Sequence, residues 1–86
     1  MSAPLNLTNR FELLLTNNPA NLPRVLDIFA KRNISPTAVN AVSQGNHSLS
    51  VTVIVKNLGE AFAITLQKKL KTMPGVKAAR LEHMVN

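Results

Sequence analysis

Glu12, Asp27, Glu60, Glu82, His47 and His83 are the acid–base inventory of this chain. General acid–base catalysis needs two such groups aimed at one reacting atom. Here each carboxylate falls in a different segment and has a plain reading: Glu12 and Glu82 on strand surfaces, Asp27 on a helix surface, Glu60 at a helix start. His47 belongs to a turn and His83 to the tail, without the spacing of metal ligands. The absence of cysteine removes disulfides, thiolate metal sites and cysteine nucleophiles, and suits a reducing compartment. These residues predict a non-catalytic chain with no metal site and no cofactor of its own.

The stretch "TNNPANLPRVLDIFAKRN", Thr16 to Asn33, has a different kind of order. Leu22, Val25, Leu26 and Phe29 stand at i, i+3, i+4 and i+7, the apolar stripe of a helix laid on a core, and Lys31 and Arg32 suit its C-terminal dipole. Proline is tolerated only in the first helical turn, where its missing N–H has no partner to lose. A cap at Asn18 would put Pro23 too deep, so Ala20 or Asn21 is the better cap, and Asn21 has the right side chain.

The remaining segments give this helix its setting. Arg10 to Thr16 alternates at first and then turns apolar on both faces, as an interior strand does. Ile34 to Ser43 reads as a second strand, and Pro36 puts it at a sheet edge. Gln44 to His47 supplies a hairpin turn, and "SLSVTVIV" follows with Leu49, Val51, Val53 and Val55 on one face. Asn57 and Glu60 resemble a capping box ahead of a second helix marked by Leu58, Phe62, Leu66, Leu70 and Met73. Lys68, Lys69 and Lys71 crowd its end and Pro74-Gly75 stops it. In the last strand, Val76 to about Met84, the alternation slips at Ala78-Ala79, which predicts a bulge or an early end. The order βαββαβ with right-handed crossovers predicts an α+β, ferredoxin-like sandwich: a four-stranded antiparallel sheet in the order 4-1-3-2 with both helices on one face. Residues 1–8 are read as an N-terminal tail and 9–84 as a single domain.

The chain has 86 residues, 45% of them apolar, enough for one small core and too few for a deep cleft. No early segment has the apolar length of a signal sequence or of a membrane span, and a soluble cytoplasmic protein with no membrane partner is expected. A net charge of +6 raises nucleic acid as a partner. The RNA recognition motif shares the element order, but it stacks bases on exposed aromatics of its first and third strands. Phe11 is the only aromatic in the corresponding segments here, which speaks against nucleic acid. Leu14, Ile54, Val42 and Ala38 fall on the sheet face away from the helices, and an unpaired edge strand invites a second copy. A homodimer is expected, with Thr37, Ala38, Val39, Asn40, Ala41 and Val42 on its edge strand.

"NNPANLPRVLDIFAKRNIS" resembles the ACT domain, and in particular the small regulatory subunit of acetohydroxyacid (acetolactate) synthase, and "LQKKLKTMPGVKAARL" is similar to that family's second helix and last strand. The resemblance covers about residues 9 to 84. It implies binding to, and activation of, a large thiamine-diphosphate-dependent catalytic subunit in branched-chain amino acid biosynthesis; thiamine diphosphate, Mg and FAD would belong to that subunit. It also implies a branched-chain amino acid as the candidate effector, held at a dimer interface by Asn17, Asn18, Pro19, Ala20, Asn21, Leu22 and Ser35. Free N–H groups and the positive dipole end of the first helix suit a carboxylate. Asn17 matches the family pattern. Ala20 replaces its loop glycine, Ser35 replaces the asparagine after the first helix, and Pro23 removes an N–H. These departures favour activation over valine feedback, as in compact small subunits. A stand-alone homodimeric ACT module that binds a small amino acid and regulates another enzyme is the alternative.

Overall fold

The computed structural model describes residues 7–85, and the side chain of Val85 is not among what is described. The elements run β1 (Leu7–Thr16), α1 (Asn21–Lys31), β2 (Ala38–Gln44), β3 (Ser48–Lys56), α2 (Glu60–Lys71) and β4 (Val76–Val85). The strands form one antiparallel sheet in the order β2-β3-β1-β4, the predicted 4-1-3-2 read from the other side. Residues 1–6 of the expected tail lie outside the described residues, while Leu7 and Thr8, assigned to that tail, begin β1.

One face of the sheet carries the core. Phe11, Leu13 and Leu15 of β1, Val51, Val53 and Val55 of β3 and Ala79 of β4 are buried beneath Val25 and Phe29 of α1 and Ala63, Leu66 and Leu70 of α2. Phe11 and Phe29 meet edge to face, with ring centroids 5.3 Å apart at 82°. Each fully buried Leu, Val or Phe side chain contributes about 1.5–3 kcal/mol relative to exposure, so these side chains decide the fold. The ion pairs on the opposite face, Arg10 with Glu12 and Glu82 and Arg80 with Glu12, all at 3.8 Å and partly exposed, contribute far less.

Several expectations are corrected. The second strand starts at Ala38 instead of Ile34, because Ser35, Pro36 and Thr37 belong to the approach from α1; Thr37, assigned to the edge strand, lies just outside it and donates its N–H to the Ile54 carbonyl. Gln44 belongs to β2, and the turn is Gly45 to His47, with Gly45 at φ 68°. Asn57 does not cap α2. It takes φ 62° and gives its N–H to the Leu7 carbonyl, while Gly59 is the N-cap and has no side-chain bond. Phe62 is 48% exposed and Ala63 takes the core position expected of it, so the buried stripe of α2 is Ala63, Leu66 and Leu70. The irregularity of β4 is a bulge one residue ahead of its expected place: Leu14 pairs with Ala78 and Leu15 with Val76, so Lys77 is the extra residue.

One buried polar side chain interrupts the apolar face. Asn9, fully buried, donates from Nδ2 to the Leu58 carbonyl at 3.0 Å and shares its Oδ1 with His83 Nδ1 at 2.7 Å. Since Oδ1 can only accept, the imidazole donates through Nδ1. Asn9→Ala strands the Leu58 carbonyl and lowers stability by about 1–3 kcal/mol. His83→Ala leaves Asn9 Oδ1 without its partner but opens it to water from an exposed position, and costs less; paired urea titrations of the two variants measure the difference.

Candidate functional site

The residues expected to hold an effector lie where β1 passes into α1, and the sequence decides their geometry locally. Asn18 makes an Asx turn: its Oδ1 accepts the Ala20 N–H at 2.9 Å, its carbonyl accepts the Asn21 N–H at 3.0 Å, and its own N–H goes to the Thr16 carbonyl at 2.8 Å. Ala20 is the N-cap and Asn21 the first helical residue, so Pro23 sits third, within the first turn as its chemistry requires. The Asn21 side chain does not cap α1. It is 6% exposed and turns back to donate from Nδ2 to the Thr16 carbonyl at 2.8 Å.

Two neighbouring turns hold this junction. Asn17 donates its N–H to the His47 carbonyl at 3.0 Å, and the Thr16 N–H goes to the Gly75 carbonyl at 2.8 Å. Gly75 stands at φ 86°, and a Cβ on it would fall 2.6–2.8 Å from the Asn21 carboxamide, so only glycine admits this contact. Lys77 adds a tether from Nζ to Ser48 Oγ at 2.7 Å and to the His47 carbonyl at 3.3 Å.

The consequence concerns the donors at the start of α1. Of the N–H groups a helix start leaves free, that of Ala20 is taken by the Asn18 side chain and that of Asn21 by the Asn18 carbonyl, and Pro23 has none. Among the described residues, the Leu22 N–H is the donor of this set left without an acceptor. The positive end of the dipole remains, but a carboxylate arriving here meets one backbone donor.

Ser35 is not part of this cluster. It stands beyond the far end of α1, about 16 Å of helix away at 1.5 Å per residue. There Leu26, Ala30, Asn33, Ile34, Ser35, Pro36 and Val39 line an open, mostly aliphatic groove of about 400 Å³ beside β2. One chain therefore does not bring Asn17 to Leu22 together with Ser35. Asn33, which sequence reasoning passed over, shapes this end: at φ 58° it ends α1, with its N–H on the Ala30 carbonyl and that of Ile34 on the Phe29 carbonyl. Its signal was an asparagine directly after the basic end of a helix, where the left-handed conformation is common.

The edge residues can be placed from the ladders. In antiparallel pairs a residue's N–H and C=O point to the same neighbour and alternate along the strand. The bonds from Asn57 to Leu7 and from Asn17 to His47 fix the odd residues of β1 on β3. The even residues of β3, Ser48 to Ile54, therefore bond Gln44, Val42, Asn40 and Ala38, and the backbones of Val39, Ala41 and Ser43 turn outward. Every residue of β2 is exposed. On the open sheet face, the position of a base-stacking platform is filled by the Arg10, Glu12, Arg80 and Glu82 lattice, and Phe11 is buried on the other side.

A βαββαβ sheet with both helices on one face and a β1–α1 junction braced by two turns defines a ferredoxin-like module. The description ACT-like domain matches residues 3–86, and the chain belongs to that family. Solved structures share the fold. The C-terminal domain of the MgtC protein from Mycobacterium tuberculosis superposes with a TM-score of 0.74 at 13% identity, covering 100% of this chain and 96% of that one. The ACT domain from GTP pyrophosphokinase of Chlorobium tepidum gives 0.73 at 10%, covering 92% and 99%. The regulatory subunit of aspartate kinase from Thermus thermophilus gives 0.70 at 17%, covering 91% of this chain and 51% of that one. No curated protein matches the chain. Among the described residues there is no cluster of three metal-ligating side chains, and no helix is long and apolar enough to cross a membrane.

Gly75→Ala lowers stability by about 1–3 kcal/mol from the left-handed backbone alone, with the Asn21 clash added. In an Asn21→Ala background the same substitution costs less, since the obstructing carboxamide is gone. A double-mutant cycle by urea denaturation reads the difference as the coupling of the two residues.

Proposed function

We propose that this chain is a non-catalytic regulatory subunit that binds and activates the thiamine-diphosphate-dependent catalytic subunit of acetohydroxyacid (acetolactate) synthase in the cytoplasm, with valine feedback weak or absent. The reading rests on membership of the ACT-like family together with the likeness of Asn17 to Ser35 to the first loop and helix of that subunit. The observation that carries activation over feedback is the state of the β1–α1 junction. Asn18 has satisfied two of the donors that a carboxylate would use, those of Ala20 and Asn21, and Pro23 has removed another, which leaves the Leu22 N–H alone.

Association is supported by the β2 edge. Pairing two copies so that outward residues meet outward residues leaves one register that uses all three: Ala41 opposite Ala41 on the two-fold axis, and Val39 opposite Ser43 on either side. Antiparallel pairing then sets the Gln44 end of one β2 beside the Ala38 end of the other. The 17–22 junction of one copy, tethered to the β2–β3 turn through Asn17 and His47, thus comes to the side of the Ser35 groove of its partner. That composite, with its aliphatic lining, favours as a second reading a stand-alone homodimeric module that binds a small amino acid and regulates another enzyme.

Acetolactate formation by the cognate catalytic subunit rises on adding this protein, and valine, leucine or isoleucine added singly leaves the raised rate unchanged. An unchanged rate without co-purification overturns the synthase reading. Saturable heat on titrating the protein with one amino acid from a panel then selects the second. The dimer has its own check: in this cysteine-free chain an Ala41→Cys variant forms a covalent dimer under mild oxidation, because bonded partners stand about 5.5 Å apart between Cα atoms, within disulfide reach.

A further inference from the structure

The second edge of the sheet differs from the first. With the odd residues of β1 bonded to β3, its even residues Thr8, Arg10, Glu12 and Leu14 bond Met84, Glu82, Arg80 and Ala78 of β4. The backbones of Ala79, Leu81 and His83 consequently turn outward at the β4 edge. An edge with free N–H and C=O groups is a template for another strand.

On this edge one of those acceptors is already taken. Gln67, half-buried on α2, donates from Nε2 to the Ala79 carbonyl at 2.9 Å. The amide crosses from the helix layer to the rim of the sheet and occupies the place where an incoming strand would set its N–H. Immediately ahead, the bulge at Lys77 interrupts the pairing of β4 with β1, while the Lys77 ammonium turns inward to Ser48 and leaves the edge itself to Gln67. The β2 edge has no such device: among the described residues no side chain bonds to the backbones of Val39, Ala41 or Ser43.

We propose that Gln67 is a positioning residue that closes the β4 edge to strand addition, so that the chain offers one open edge and association through β2 stops at two copies. The occupant it excludes is an extended segment of a further copy of this chain. This inference rests on the β2-paired dimer, since only a chain joined at one edge needs the other barred to prevent open-ended growth.

The test replaces the donor and keeps the shape. Gln67→Met removes the amide with little change of volume, and Gln67→Ala, a good helix former, repeats the test without the long side chain. Sedimentation velocity over a hundredfold concentration range finds the unaltered protein at two copies. The variants show weight-average masses beyond two that grow with concentration, while thermal melts confirm that they are folded. A structural role confined to packing would lower the melting temperature and leave the masses alone. The same substitutions on an Ala41→Pro background, where the β2 edge has lost an outward N–H, separate the two claims. There they turn monomers into β4-paired dimers. If the unaltered protein is itself a monomer the β2 dimer fails, and the edge guard still stands or falls on whether Gln67→Met associates. Masses identical to the parent protein in both backgrounds overturn the proposal.

Discussion

The middle place of β1 governs this molecule. Its backbone alternates between two neighbours, odd residues to β3 and even residues to β4, while its side chains alternate between the core and the open face. Phe11, Leu13 and Leu15 therefore all point under the helices, and Arg10 and Glu12 all point away. A one-residue slip on either side would exchange those sets and expose the three largest apolar contributions of the strand, several kcal/mol against ion pairs worth little. From that register follow the outward groups of β2, the outward groups of β4 and the height at which the β1–α1 junction leaves the sheet.

The junction takes its character from where β1 ends. Thr16 has its N–H on the Gly75 turn and its carbonyl shared by Asn18 and Asn21, and the next residue bonds the β2–β3 turn. A loop so tied has little freedom to close over a ligand, and its asparagines are employed in holding it. The Asx turn at Asn18 does what a bound carboxylate would do for the first turn of α1. Stability of the helix start and capacity for an anionic ligand draw on the same N–H groups, and in this chain the helix start has them.

Much of the fold was legible. β3 was plain because Leu49, Val51, Val53 and Val55 alternate with Ser48, Ser50, Thr52 and Ile54 over a strand whose valine face is buried. The α1 stripe and its start followed from Pro23, whose constraint is local to the residue. The β2 edge followed from Pro36 in outcome, although the proline lies before the strand. Less was legible in α2. Periodicity favours the large aromatic at 62, yet α2 is rotated so that Ala63 faces the sheet and Phe62 faces solvent. Asn57 looked like a cap because asparagine serves caps and left-handed turns alike, and its spacing to Glu60 favoured the cap where the fold uses the turn.

The sequence by itself determined which elements form, their order and the kind of surface each presents, because periodicity, proline and glycine act within a few residues. Only the tertiary structure decided how the polar groups were spent. Asn9 with His83, Asn21 with Thr16 beside Gly75, and Gln67 with Ala79 are contacts made across separations of 74, 5 and 12 residues, and the chain had to be folded before any of them had a partner. A hydrogen bond depends on ångström distances and direction, which no spacing in a sequence specifies, and so the candidate site was visible as a loop while its remaining donor capacity was not.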